Sequence, residues 1–191
     1  TVSGDYTLRL NGADYIRVQN LGIANPGPTY GFGIQFLLSA DNNIISGCRI
    51  DLPTTSTGTG KVGICAGTTY NTLGLFASNL SLINNTVVGG YMGIAINGPS
   101  GTQATGLTMT GNSITDAYNT GLYIQYINLM MASQNTILMR AGYVSGYGVQ
   151  LRYCSQFNFS RNSVQRAGLY GVYMIGTNFN MNNPANFTNN M

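Results

Sequence analysis

The sequence predicts an all-β solenoid, a right-handed parallel β-helix of about seven coils formed by residues 1–191 as a single domain, and three observations predict it. A Gly-led apolar phrase recurs at intervals of 30, 30, 28, 27 and 23 residues, a second phrase built on Asn follows it, and both alternate apolar with polar side chains. A repeat of that length marks a supersecondary unit that buries its apolar face only by stacking on its neighbours. Period-two alternation marks strands, and no stretch shows helical spacing.

The leading phrase reads Gly33-Ile-Gln-Phe36, Gly63-Ile-Cys-Ala66, Gly93-Ile-Ala-Ile96, Gly121-Leu-Tyr-Ile124, Gly148-Val-Gln-Leu151 and Gly171-Val-Tyr-Met174. In a coil, like positions stack at about 4.8 Å, so two inward columns are expected. One is Ile34, Ile64, Ile94, Leu122, Val149 and Val172; the other is Phe36, Ala66, Ile96, Ile124, Leu151 and Met174. Both are almost wholly aliphatic, as a dry interior requires. Burying each such side chain contributes about 1.5–3 kcal/mol, which offsets the entropy of ordering a loop-rich chain. Right-handed winding follows from the bias of parallel crossover connections. A sandwich of hairpins is the other way to bury short strands, and the constant phase of the repeat favours the coil.

The second phrase is Asn85-Thr-Val87, Asn112-Ser-Ile114, Asn135-Thr-Ile137 and Asn162-Ser-Val164, with Cys48 in the Asn position ahead of Ile50. Apolar pairs precede it: Leu80 and Leu82, Leu107 and Met109, Phe157 and Phe159, with Ile16 and Val18 as the first-coil counterpart. Asn85, Asn112, Asn135 and Asn162 are expected to form a structural ladder, because a carboxamide donates and accepts between turns and tolerates a bent backbone. Glycines, Asn-rich clusters and the stretch Pro53 to Gly60 separate the strands as turns. Phe32, Tyr91, Tyr118, Tyr147 and Tyr170, just ahead of the leading glycines, predict an aromatic column at a corner.

Only 7% of residues are charged, against roughly 25% in an average soluble protein. Solubility therefore rests on neutral polar groups, a balance that suits an extracellular or cell-surface protein. The acids are Asp5, Asp14, Asp41, Asp51 and Asp116; seven Arg and Lys61 oppose them, and His is absent. A net charge of +3 from scattered residues makes no basic stripe, so no nucleic-acid partner is expected. No run reaches the roughly 18 apolar residues of a spanning helix, so no membrane insertion is expected. Cys48, Cys65 and Cys154 cannot all pair and match no zinc spacing; free, buried thiols are expected. Neither end reads as a cap over a strand edge: Thr1 to Asp5 is short, and Asn178 to Met191 stays strand-like at Phe179 and Met181. That predicts a longer polypeptide continuing at both ends.

These phrases resemble the parallel β-helix repeats of the pectin-lyase-like superfamily from about Tyr6 onward. More narrowly, Asp116-Ala-Tyr-Asn-Thr-Gly-Leu-Tyr-Ile-Gln-Tyr126 and Gly146-Tyr-Gly-Val-Gln-Leu-Arg-Tyr153 resemble repeats of very large surface proteins of Bacteroidota. Those proteins are commonly exported by the type nine secretion route and include gliding and attachment proteins. The resemblance implies a secreted or cell-surface module acting as a stiff spacer or an adhesive face toward glycans or other surface proteins; with no His, no Glu and no clustered carboxylates, no catalytic residue or cofactor is expected in it.

The superfamily also contains pectate lyases and polygalacturonases. The polygalacturonase motifs Asn-Thr-Asp, Asp-Asp, Gly-His-Gly and Arg-Ile-Lys are missing, with only Arg49-Ile50-Asp51 near the last. A lyase of this superfamily holds calcium between clustered carboxylates, and five scattered Asp residues predict no such metal site. Asp51 and Asp116, read as following equivalent strand ends two coils apart, would stand roughly 10 Å from each other, at the edge of an inverting pair. Solvated turn residues are the better reading, since acid–base work needs a raised pKa. A catalytic thiol lacks a His base.

Residues between the inward columns face outward: Gln35, Cys65, Ala95, Tyr123, Gln150 and Tyr173, and beside them Asn97, Gln125 and Arg152. Tyr123, Gln125, Gln150, Arg152 and Tyr173 are expected to form a flat, exposed patch of aromatic faces with amide and guanidinium donors, suited to sugars or a protein partner. The blander reading is that cross-strand Tyr and Gln stabilise an exposed sheet. Three functions remain: a spacer or adhesive module, a polysaccharide-active enzyme, and a receptor-binding viral fibre.

Overall fold

The computed structural model describes residues 6–27, 30–177 and 184–191. The chain winds as a parallel solenoid with three main strands per coil, and two coils add a short parallel pair, Ala104–Thr105 and Ile127–Asn128. The first sheet stacks Tyr6–Asn11, Tyr30–Leu37, Gly60–Ala66, Met92–Asn97, Thr120–Gln125, Tyr147–Arg152 and Tyr170–Ile175 in that order. The second stacks Arg17–Gln19, Ile44–Ser46, Ser81–Ile83, Thr108–Thr110, Met131–Ser133, Asn158–Ser160 and Asn186–Thr188. The third stacks Gly22–Ala24, Arg49–Asp51, Thr86–Val88, Ser113–Thr115, Thr136–Leu138 and Ser163–Gln165. Seven strands in two sheets and six in the third make six full coils and part of a seventh. No helix is present among the described residues.

The register is the one the repeat predicts. Ile34, Ile64, Ile94, Leu122, Val149 and Val172 pair level by level, as do Phe36, Ala66, Ile96, Ile124, Leu151 and Met174. All are buried except in the last coil, where Val172 is partly covered and Met174 is 43% exposed. The second sheet adds Ile45, Leu82, Met109, Ala132 and Phe159, and the third adds Ile50, Val87, Ile114 and Ile137, so one continuous core fills the tube. Ile16 departs from its expected role: it is exposed in the first coil, while Val18 packs against the core.

The leading glycines are explained by close approach. A β-carbon placed on Gly33, Gly63, Gly93, Gly121 or Gly148 would lie 2.1–2.4 Å from a methyl of Ile50, Val87, Ile114, Ile137 or Val164, the inward column of the third sheet. The glycines sit where the first sheet runs closest to that column, and only hydrogen fits.

The Asn ladder lies at the corner between the second and third sheets. Asn85 donates its backbone N–H and its Nδ2 to Asn112 Oδ1, both at 3.0 Å; Asn112 does the same to Asn135 Oδ1 at 3.0 and 2.9 Å, and Asn135 to Asn162 Oδ1 at 3.0 and 2.8 Å. Each Nδ2 also donates to a main-chain carbonyl two coils up the stack from its acceptor: Ile45, Leu82, Met109 and Ala132 in turn. Cys48 N–H donates to Asn85 Oδ1 at 3.0 Å, so the thiol residue does occupy the ladder position. Asn190, unrecognised in the sequence, is the next rung and accepts from Asn162 at 2.9 and 3.1 Å. Four Asn side chains buried to 1% exposure thereby spend their amide hydrogens on stacking.

The aromatic corner column is not formed as one stack. Phe32, Tyr147 and Tyr170 share a register level with Val62, Met92 and Thr120, whereas Tyr91 and Tyr118 lie in the turns before their strands. The rings divide into separate groups: Tyr91–Tyr118–Tyr143 with centroids 6.0 and 4.0 Å apart, and Tyr147–Tyr170–Tyr173 at 5.4–5.8 Å. Counted back from the leading glycine, Phe32, Tyr147 and Tyr170 stand one residue ahead, Tyr91 two and Tyr118 three, so only the first three share a level. Phe179 and Met181 lie outside the described residues.

Candidate functional site

The candidate residues occupy the outer face of the first sheet in the predicted register: Tyr123 pairs with Gln150, Gln150 with Tyr173, and Gln125 with Arg152. Their exposure differs from the expectation. Tyr123 is 3% exposed, Gln150 7% and Gln125 8%, so the patch is not an open surface. The cause is the connection after strand Gly60–Ala66, which turns back over the sheet. Its Tyr70 ring stands edge-on to Tyr123 at 6.0 Å and meets Tyr91 at 5.8 Å. Asn97 Nδ2 holds that connection by donating to Tyr70 O at 2.9 Å and Ala66 O at 3.2 Å. Phe32, Val62, Cys65, Met92, Ala95 and Tyr123 form a second apolar cluster beneath it, outside the tube.

Within this cover Tyr123, Gln125, Gln150 and Arg152 make side-chain hydrogen bonds. Tyr123 OH donates to Gln125 Oε1 at 2.8 Å, Arg152 Nη1 donates to Tyr123 OH at 3.2 Å, and Gln150 Nε2 donates to Thr120 Oγ1 at 2.9 Å. The Arg152 guanidinium stands 5.8 Å from the Tyr123 ring centroid. Burial pushes the Tyr123 phenol up, and the neighbouring Arg152 charge opposes it. Among the described residues, Asn97 Oδ1 and Arg152 Nε, in the same outward column, are buried without a hydrogen-bond partner. Tyr123, Gln125 and Gln150 thus belong to the packing. Arg152 and Tyr173 are half-buried and remain reachable, beside Tyr147 and the exposed Tyr170.

A feature the outward-column reading missed lies one residue further along each strand. Tyr126 and Tyr153 follow Gln125 and Arg152 and stack at 4.8 Å with their planes 12° apart. Both adopt positive φ, 53° and 52°, at the corner where the chain leaves the first sheet. In the next coil Gly176 leaves room for the Tyr153 ring: a β-carbon there would be 2.3 Å from it. Gln103, on the connection after strand Met92–Asn97, donates from Nε2 to Tyr153 O and accepts from Ser155 Oγ, both at 2.5 Å. An open groove of about 470 Å³ runs between that connection and the tyrosine pair, lined also by Thr102, Asn128 and Ser155. Every side chain on its wall is uncharged. The signal in the sequence was the aromatic after each of two successive outward columns, in Gln125-Tyr126 and Arg152-Tyr153.

The carboxylates do not form the imagined pair. Asp51 shares a register level with Val88 and Thr115, so Asp116 lies one residue past the equivalent position, in a left-handed turn at φ 57°. Asp51 is bound to Arg49 at 2.8 Å. Among the described residues no group of three or more His, Cys, Asp or Glu is placed to hold a metal ion, and no helix is long and apolar enough to cross a membrane. All three cysteines are free and buried, as expected.

A family model described as a right handed beta helix region matches residues 54–191. The chain belongs to that β-helix family. No curated protein and no solved structure matches it. In this β-helix the match begins near the third strand of the first sheet, and the earlier coils continue the same register without interruption.

Proposed function

We propose that this β-helix is a non-catalytic module of a large secreted or cell-surface protein, a stiff spacer whose corner groove binds neutral glycans. The observation that carries the reading is the uncharged groove beside Tyr126 and Tyr153, where hydroxyls, amides and phenols converge around an aromatic stack. Sugars present hydroxyls for such donors and acceptors and C–H faces for aromatic rings. The absence of charge on the wall disfavours phosphate or uronate ligands. Stiffness is supported by parallel pairing at every level and by the continuous Asn ladder, because each coil is held by main-chain and side-chain bonds to the next. The narrower resemblance of Asp116 to Tyr126 and Gly146 to Tyr153 suggests exported Bacteroidota surface proteins as the setting.

The test is a glycan array read beside product release from pectin and alginate. Binding to neutral glycans without release of oligosaccharides is expected, with Tyr153→Asn weakening it at least tenfold. Release of reducing or unsaturated ends would move the chain to the polysaccharide-active enzymes. Binding unchanged in Tyr153→Asn would remove the groove from the site.

A further inference from the structure

We propose that Lys61 and Asn25 are a covalent modification site, at which the lysine Nζ joins the asparagine Cγ in an intramolecular isopeptide bond. This inference stands apart from the glycan reading.

Lys61 is the only lysine of the chain and is fully buried. It is the second residue of the third strand of the first sheet, in register with Gly31. Asn25, 8% exposed, lies in the turn that leaves strand Gly22–Ala24 of the first coil. Lys61 Nζ donates to Asn25 Oδ1 and, at 3.0 Å, to Tyr30 O. The carboxamide is held from its other atoms. Asn25 Nδ2 donates to Phe32 O at 3.3 Å, and the Asn25 backbone N–H donates to Asp51 O at 3.0 Å. Gly31 lies flat against the amide: a β-carbon there would stand 2.6, 2.7 and 2.9 Å from Oδ1, Nδ2 and Cγ. An amine and a primary amide are thereby kept in contact, away from solvent, by groups that immobilise both.

Contact of that kind supplies proximity for amide exchange, an amine held at the oxygen of a carboxamide, next to its carbonyl carbon, in a dry site. The Nζ lone pair attacks Cγ and forms the new C–N bond. The Cγ–Nδ2 bond then breaks, and Nδ2 leaves as ammonia with its own two hydrogens and one proton from Nζ. Atoms and charge balance with neutral lysine as reactant, and no oxidant or cofactor enters. Without an assigned proton carrier the step is slow, so the bond is expected to accumulate after folding. It would close a loop containing the whole second coil and tie the first coil to the third.

The experiment is a tryptic map of the purified chain over days at neutral pH. Cross-linked protein is lighter by one ammonia, about 17 Da, as the amine–amide exchange requires. Mass alone does not decide, since Asn11-Gly12 and Asn97-Gly98 can lose ammonia by cyclising. The decisive product is a branched peptide in which residues 18–49 are joined through Asn25 to an uncleaved Lys61. It is expected to be absent when the chain is incubated in guanidinium or carries Lys61→Met. The cross-linked form is expected to melt about 5 °C or more above the unlinked one, as closing a loop does. Complete cleavage after Lys61 in aged, folded protein, with no branched peptide, would overturn the proposal whatever the variant does.

Discussion

Gly121 lies so close to Ile137 that a β-carbon added to the glycine would be 2.4 Å from the isoleucine Cγ2 and 2.7 Å from the carbonyl oxygen of Gly148 one coil below. The first contact is between two sheets of one level and the second between two levels, so no single shift relieves both. Gly121→Ala is expected to cost about 3 kcal/mol or more, at the upper end of overpacking. Ile137→Ala in the same chain should recover only part of that loss, because the Gly148 carbonyl still obstructs. Urea denaturation of the two variants checks this, and a Gly121→Ala midpoint equal to wild type would contradict the close approach.

Asn112 makes the second prediction. Its Oδ1 accepts from Asn85 N–H and Nδ2, and its Nδ2 donates to Leu82 O at 2.8 Å and Asn135 Oδ1 at 2.9 Å. Asn112→Ala leaves buried donors and acceptors on the levels above and below it unmatched, at a cost of about 2–4 kcal/mol. Ser113→Ala, on the outward face of the next residue, is the control and should change stability by less than about 0.5 kcal/mol. Amide hydrogen exchange at Asn85 should accelerate in the first variant only.

The buried thiols give a pH dependence of definite sign. Burial pushes Cys154 up to about 11 from the ordinary 9.0, partly countered by backbone hydrogen bonds, and pushes Cys65 up further by the same cause. A folded-state value above the unfolded one means that the stabilisation is complete below pH 9. It declines as the unfolded thiol ionises and is gone above the folded value. For Cys154 the loss by pH 11 is on the order of 2–3 kcal/mol. Guanidinium midpoints at pH 8 and 10.5 measure the drop, and Cys154→Ala should remove its own share while the share of Cys65 persists. A disulfide reagent at pH 8 should find no reactive thiol until the chain unfolds.

Tyr123 and Tyr173 share a column yet should behave differently. Tyr123 is buried beneath Tyr70, so Tyr123→Ala is expected to cost about 3–5 kcal/mol as a large-to-small change in a packed cluster. Tyr173 is half-buried near the end of the stack, and Tyr173→Ala should cost about 1 kcal/mol. Thermal melts of the two variants distinguish packing from surface at two equivalent positions.

The inward columns, the turns and the Asn ladder were legible because each coil repeats the same local constraint. Ile94 and Ile124 face inward for the reason Ile64 does, and a phase kept over six units leaves little freedom in register. The part of the ladder that was missed, Asn190, follows Phe187-Thr188 without the Ser/Thr-Ile continuation that marked the other rungs. Asp51 and Asp116 were misaligned although the repeat already separates them: Asp51 stands one residue past Ile50, whereas Asp116 stands two past the equivalent Ile114.

By itself the sequence determined the solenoid: short alternating strands of similar length can bury their apolar sides together only by stacking in phase. What lies outside the tube was decided by tertiary structure. Residues 67–72 are Gly, Thr and Asn apart from Tyr70, yet they fold over the first sheet because Asn97 anchors the Tyr70 backbone and the ring finds apolar neighbours beneath it. The same long-range contact buries Tyr123, and the path of the next such connection opens the groove at Tyr126 and Tyr153. Outward direction is a local property of a strand, whereas exposure depends on where distant segments come to rest.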